Sequence, residues 1–474
     1  MKRSWVLDRL ASAGFNNLEQ GAKADLLARG AGALLDRGVP AVTRAHAFWV
    51  PGRIEVVGKH TDYAGGRSLL LAADKGFCFV AAPGGDRRLW VTDAVREETI
   101  QFEISPHLVA VSEHWSNYPM TVGGRLARNF GGHLKGGSVA FASDLPRAAG
   151  MSSSSALIVG FSLVLVVLNQ LQTAAPFRSN IQTAEDLAAY LGRVENGRSF
   201  KALAGDRGVG TFGGSEDHTA ILCCQPDQLS LYSFHPVHRE RNIDFPADLT
   251  LLVASSGVKA DKTGSAMGKY NRASRLAAEA AARWREDTGC DDPDLAAVAA
   301  RFPTSCQPVL EVLRRPFTSD FSAAEVADRF EHFYQESVKI VPHAAVALAR
   351  GDLKTFGRLV DRSQKEAERL LGNQVPETVF LARCARQLGA AAASAFGAGF
   401  GGSVWALTGT SRARGLLERW SSRYQAGFPE RAQEARFFTT RPGPPAQQLL
   451  SEKQSLFAAT RIGPEASSHP EAPD

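Results

Sequence analysis

Along the first forty residues, apolar side chains at Leu7, Leu10, Phe15, Leu18, Leu26, Leu27, Leu34 and Leu35 recur near the period of an α-helix, broken by Gly14, Gly21 and Gly30. This spacing predicts a short helical extension over 1–43. From Phe48 to Ile104 the pattern changes. Ser68–Leu71, Phe77–Val80, Leu89–Val91 and Thr99–Phe102 are β-prone runs between Gly, Pro and Asp turns, and predict a meandering sheet. Ser138–Ala142 reads as one more strand, leading through a loop and a row of serines into the apolar run Ala156–Leu168. That run falls short of the ~20 residues that cross a bilayer, so a buried helix is expected. Helical spacing returns between Phe321 and Leu388 at Val326, Phe330, Phe333, Val346, Leu348, Phe356 and Leu359, with turns expected at Gly351-Asp352 and Gly372-Asn373. Short strands should follow. Pro442–Pro445 and the Pro-, Ser-, Ala- and Glu-rich stretch Gly463–Asp474 predict a disordered tail over 442–474. No repeat of 20–50 residues argues for a solenoid.

With 474 residues and 44% hydrophobic content, the chain can build a full core. Its length suits two or three domains, or two lobes sharing a cleft. The formal charge of +5 arises from 54 Lys+Arg against 49 Asp+Glu without a basic run, which gives no footprint for nucleic acid. Six cysteines show no metal-ligand spacing, so reduced thiols and a cytoplasmic setting are expected. After Met1-Lys2-Arg3 comes Asp8 rather than an apolar segment, so a signal peptide is not expected, nor is a membrane partner. The oligomeric state is not legible.

Candidate chemistry begins at Pro146–Ala156, where Gly150 and Met151 precede Ser152, Ser153, Ser154 and Ser155. A flexible turn, a row of hydroxyls and a helix start present N–H donors and a positive dipole end, which suits a phosphate chain. A serine-rich helix cap would look similar, but one serine suffices for a cap. No GxxxxGK[ST] occurs, so nucleotide binding is implied without a P-loop. Gly397–Ser403 formally contains GxGxxG, yet a strand-like run follows it where a dinucleotide fingerprint opens a helix. A tight turn with closely approaching backbones is expected there instead.

Three segments now coincide in order: Pro51-Gly52-Arg53-Ile54-Glu55-Val56-Val57-Gly58-Lys59-His60-Thr61-Asp62-Tyr63, the serine loop, and Gly397–Ser403. Together they resemble the GHMP small-molecule kinases, and the first is similar to the galactokinase signature GRxNLIGEHxDY. Gly213-Gly214-Ser215-Glu216-Asp217-His218 resembles the segment that carries the galactokinase catalytic aspartate, and His332–Gly402, including Pro376-Glu377, resembles the family's C-terminal helices. The likeness covers roughly residues 44–410. It implies a two-lobed α+β fold with the active site in a cleft between an N-terminal domain, 44–245, and a C-terminal domain, 246–441. It also implies transfer of phosphate from ATP, with Mg²⁺, to the anomeric hydroxyl of a sugar.

By that resemblance Asp217 would orient and deprotonate the C1 hydroxyl, Arg53 would pair with it, and Ser154 and Glu195 would hold Mg²⁺. Gly150 and Ser152–Ser155 would cradle phosphates. Trp115, Asn117 and Tyr118 match a WxNY segment that walls the adenine, and His60, Asp62, Gly214 and Tyr270 match sugar contacts. The interval from Glu195 to Asp217 is longer than galactokinases carry, which implies a Gly- and Arg-rich loop insertion.

Two departures stand in the first motif. Lys59 occupies the place of a glutamate that faces the sugar C6 hydroxyl, and Glu55 the place of an asparagine. A lysine facing C6 would suit a C6 acid such as galacturonate; a lysine turned toward Glu55 would leave galactose as the substrate. A non-catalytic sugar sensor on the same fold would have lost Asp217, Arg53 or a serine-loop glycine, and none is lost. A mevalonate-type kinase is disfavoured by His60-Thr61-Asp62-Tyr63.

Overall fold

The computed structural model describes residues 3–110, 114–146, 150–258 and 267–450. The loop residues Arg147–Ala149 and the tail Gly463–Asp474 lie outside them. The N-terminal extension is two helices, α1 (Arg3–Ser12) and α2 (Asn17–Asp36), the second started by Asn16, whose side chain accepts the N–H groups of Leu18 and Glu19. Then come β1 (His46–Val57), β2 (Arg67–Pro83), β3 (Arg88–Asp93), β4 (Glu98–Glu103), α3 (Asn117–Phe130), β5 (Gly137–Ser143) and α4 (Ser153–Leu168). Next are α5 (Ala175–Asn180), α6 (Ala184–Asn196), α7 (Glu216–Cys223), β6 (Gln228–Ser233), β7 (His238–Asp244) and β8 (Leu249–Ser255). A helical stretch follows: α8 (Met267–Thr288), α9 (Leu295–Ala300), α10 (Gln307–Leu313), α11 (Ala323–Tyr334), α12 (Val341–Ala349), α13 (Leu353–Glu366) and α14 (Pro376–Gln387). The described chain closes with β9 (Ala392–Phe396), β10 (Ser403–Gly409), α15 (Ala413–Gly427), β11 (Arg436–Thr440) and β12 (Gln447–Leu450).

The first sheet runs β12-β1-β2-β5-β3-β4, with β6 and β7 attached to the early half of β2. The expected meander is therefore interrupted. β1–β2 and β3–β4 pair antiparallel as neighbours in sequence, but β5 inserts between the two pairs and runs parallel to β3. Helix α4, buried from Ser155 to Val166, packs beneath this sheet as its all-round apolar sequence requires. The N-terminal extension covers part of the sheet's other face: Leu10, Phe15, Leu27 and Leu34 share a core with Trp49, Val80 and Ala140. Buried Lys23 anchors α2 through a 2.5 Å bond to Asp144.

The second sheet, β11-β8-β10-β9, is antiparallel, and Leu381, Leu416, Trp420 and Tyr424 from α14 and α15 pack on it. Helices α8 to α11 form a further core around Trp284, Leu313 and Phe330. The turns expected at Gly351 and Gly372 fall between helices. The expected tail is corrected at its start. Gly443 N–H donates to Ala72 O at 2.8 Å, Trp49 Nε1 donates to Pro444 O at 3.0 Å, and β12 pairs antiparallel with β1. The edge of β1 offers unpaired backbone groups, and this Pro-rich segment satisfies them. No helix among the described residues is long and apolar enough to cross a membrane, and all six cysteines are free thiols.

Candidate active site

The first motif, the segment around Asp217 and the Gly397 turn line one cleft of about 460 Å³, counting its open mouth, and the serine loop abuts it through Ser155. Strand β1 carries Arg53 and Glu55 into it, and the tight turn after β1 brings His60 and Asp62. The end of α6 supplies Glu195, the start of α7 Glu216 and Asp217, and α8 Tyr270, while the start of α4 sets Ser155 against Glu195 and Asp217. The Gly397 turn closes one side.

Arg53 organises the centre. Its Nε donates to Asp217 Oδ1 at 2.7 Å, Nη2 lies 2.7 Å from the same oxygen, and Nη1 donates to Gly150 O at 2.6 Å. Burial opposes the guanidinium charge, but Asp217, Glu216 and Glu55 outweigh it and raise the Arg53 pKa. Gly397, at φ +81°, comes so close that an added Cβ would lie 2.9 Å from Gly150 O and 3.3 Å from Arg53 Nη2. The glycine cluster is thus the expected close backbone approach, and it leads into strand β10 as expected.

Glu195 and Asp217 are brought together despite their separation in sequence. The loop between them is tied back on itself: Val209 N–H donates to Glu195 O at 2.9 Å and Asn196 Nδ2 to Gly213 O at 2.8 Å. Arg125 clamps Asp206 at 3.0 Å from outside. The serine hydroxyl between the two carboxylates belongs to Ser155, one residue beyond the expected Ser154. It donates to Glu195 Oε2 at 2.9 Å and lies 3.2 Å from Asp217 Oδ2. Ser152, before the first turn of α4, takes a left-handed φ of 59° and is buried with an Oγ that has no hydrogen-bond partner among the described residues.

On the other side, Glu216 N–H donates to Asp62 Oδ2 at 3.1 Å. Gly214 abuts this carboxylate so tightly that an added Cβ would lie 2.3 Å from Oδ2. His60 accepts from Tyr63 OH on Nδ1 and donates from Nε2 to Ala398 O, each at 3.0 Å, which makes it a fixed wall. Tyr270 stands 5.4 Å from it, ring to ring. Burial raises the pKa of Asp62, Tyr270 and Glu216, and for Glu216 the neighbouring Glu55 and Asp62 add to the effect.

Lys59 does not join them. Its ammonium donates to Ser363 Oγ at 3.0 Å and Ser394 Oγ at 2.8 Å, in a buried network completed by Glu336, and it does not line the cleft. The carboxyls of Glu55, Asp62, Glu195, Glu216 and Asp217 line it instead, with Arg53 as the fixed cation among them. Lys59 therefore lends the C6-acid expectation no support: among the described residues no lysine lines the cleft, where a substrate carboxylate would meet carboxyls of like charge. Trp115 and Tyr118 are half-buried near the start of α3, Trp115 edge-on to Phe141 at 5.6 Å, and Asn117 is buried with its Oδ1 bonded to Thr121; none of the three lines this cleft. Sequence reasoning gave no role to Glu216 or His218, whose Nε2 lies 3.2 Å from Glu195 Oε2. Their only signal was adjacency to Asp217.

Comparison with known proteins agrees with this geometry. Residues 41–83 match the galactokinase galactose-binding signature, 117–203 the GHMP kinase N-terminal domain, and 344–426 the GHMP kinase C-terminal domain. A galactokinase of Roseiflexus sp. (strain RS-1) is 29% identical over 366 residues, covering 75% of this chain and 82% of that protein. One from Enterococcus faecalis (strain ATCC 700802 / V583) is 25% identical over 399 residues, covering 80% and 89%. The crystal structure of Lactococcus lactis galactokinase complexed with galactose shares the fold at a TM-score of 0.69 and 21% identity, covering 85% of this chain and 95% of that one. With both GHMP domains, the galactose-binding signature and the two-lobed α+β fold in place, the chain belongs to the GHMP kinases, on the galactokinase side of the superfamily.

Proposed function

We propose that this protein is a sugar kinase that transfers the γ-phosphate of ATP to the anomeric C1 hydroxyl of galactose or a closely related neutral sugar. One observation carries the reading: the Arg53 guanidinium binds Asp217 and the Gly150 carbonyl together, joining an acceptor-side carboxylate to the phosphate-side loop. Phosphoryl transfer needs a placed nucleophile and neutralised charge more than covalent chemistry. Asp217, ionised and fixed through Oδ1, takes the C1 hydroxyl proton as the bond from that oxygen to the γ-phosphorus forms and the bond to the ADP oxygen breaks. Asp62 accepts from neighbouring ring hydroxyls, and His60, Gly214 and Tyr270 wall the ring.

The phosphates of ATP lie at the start of α4, where the free N–H groups, the helix dipole and the unpartnered Ser152 Oγ favour anionic oxygen. The donors fit Mg²⁺: Glu195 and a serine hydroxyl, Ser155 or Ser154, are hard oxygens, and phosphate oxygens would complete the shell. Among the described residues no cluster of three His, Cys, Asp or Glu would hold the ion without the nucleotide. When bound, the ion neutralises phosphate charge. Trp115 and Tyr118 are assigned to the adenine on the family resemblance alone.

The test is ADP release with Mg-ATP against galactose, galacturonate, arabinose and N-acetylgalactosamine, with the product examined by ³¹P NMR for phosphorus coupled to the anomeric proton. Turnover of a neutral sugar with C1 coupling is expected. Preference for galacturonate would contradict the acidic cleft, and sugar binding without turnover would favour a sensor.

A further inference from the structure

Glu55 is a buried carboxyl on β1 that lines the cleft beside Arg53 and Asp217. Its Oε1 has no hydrogen-bond partner among the described residues. The two cations whose charges act on it are engaged elsewhere. Arg53 donates to Asp217 and Gly150, and Lys59 donates to the hydroxyls of Ser363 and Ser394. The other charged groups around it, Glu336, Asp217 and Glu216, are acids and offer it no proton donor in the ionised state. Burial is the largest effect on its titration and pushes the carboxyl up to about 7. A buried acceptor with no protein donor is rare in a folded chain. Either ionisation state leaves an oxygen that a donor arriving through the cleft would satisfy.

We propose that Glu55 is a specificity-determining residue of the sugar site, accepting a hydrogen bond from one substrate donor group, a ring hydroxyl or the ammonium of an amino sugar. The inference rests on the sugar-kinase reading for its substrate class, and the galactokinase signature has asparagine at this position. Asparagine can both donate and accept, whereas an ionised glutamate only accepts. In its ionised state the carboxyl therefore selects for a substrate that brings the proton and rejects one that brings a carboxylate or a bare ring oxygen at that place.

The experiment pairs substrate and protein deletions. Binding of galactose, its 2-, 3-, 4- and 6-deoxy analogues and galactosamine to the unaltered protein, Glu55→Gln, Glu55→Asn and Glu55→Ala is measured by calorimetry, alongside kcat/KM. Thermal unfolding establishes that each variant is folded. One deoxy analogue should bind the unaltered protein about ten- to a hundredfold more weakly than galactose, and Glu55→Ala should erase that difference. Preserved coupling with galactosamine in place of galactose would identify the donor as the ammonium. If the Glu55 variants weaken every sugar by the same factor, the assignment is overturned and Glu55 is merely structural. Coupling seen in binding without turnover would keep the assignment and sink the kinase reading. Failure of every sugar to bind would overturn both.

Discussion

Lys59→Met separates a lysine that holds the fold from one that reads the sugar. The ammonium is buried, with the residue 1% exposed, and donates to two serine hydroxyls. Each hydrogen bond involving a charged group contributes about 1.5–3 kcal/mol, against a desolvation penalty of several kcal/mol for burying the ammonium. Methionine removes that penalty with the bonds, but it also removes the cation whose charge favours ionised Glu55. The balance points to a loss of about 3 kcal/mol, near the lower end of what breaking a buried charged contact costs. At about 1 °C per kcal/mol for a chain of this length, the melting temperature should fall by about 3 °C. The ratio of kcat/KM for galactose over galacturonate should move less than about twofold, because Lys59 touches neither. Differential scanning fluorimetry and a coupled ADP assay on the same preparation measure both quantities. An unchanged melting temperature with a tenfold shift in that ratio would refute the reasoning and return Lys59 to the sugar site.

Gly214→Ala should raise KM for the sugar by more than about tenfold with a smaller change in KM for ATP, since the added Cβ would lie 2.3 Å from Asp62 Oδ2. Steady-state kinetics with each substrate varied in turn measures the split. Lys23→Met should lower the melting temperature by several degrees and leave kcat unaltered, because the bond to Asp144 anchors α2 on the sheet face away from α4. In the pH dependence, burial raises Glu55 from 4.5 to about 7, so the folded protein holds a proton there that the unfolded chain releases. Stability relative to Glu55→Gln should therefore fall as pH rises from about 4.5 to about 7, as read from denaturant midpoints. A rise over that window would contradict the burial.

Much of the site was legible because its chemistry lies in short, contiguous motifs. Arg53 to Tyr63, Ser152 to Ser155 and Gly213 to His218 each set several groups by local backbone geometry alone. The apolar run of α4 announced a buried helix for the same reason: all its faces are hydrophobic. What stayed hidden depends on distant partners. Nothing around Lys59 in sequence reveals Ser363 and Ser394, which decide where its ammonium points. The insertion of β5 between β2 and β3 follows from a crossover through α3. Residues 442–450 look disordered by composition, yet β1 leaves an edge for them to pair with. Ser155 rather than Ser154 meets Glu195 because helical phase, not residue type, decides which hydroxyl of the row points inward.

The most direct test of the central claim compares the unaltered protein with Asp217→Asn in a rapid-quench measurement of phosphate transfer from ATP to galactose at saturating Mg²⁺. Asparagine keeps the shape and an oxygen for Arg53 but cannot take the C1 proton. The account predicts transfer slowed by about 10²–10⁴-fold with sugar binding retained. Transfer at an undiminished rate in Asp217→Asn would contradict it.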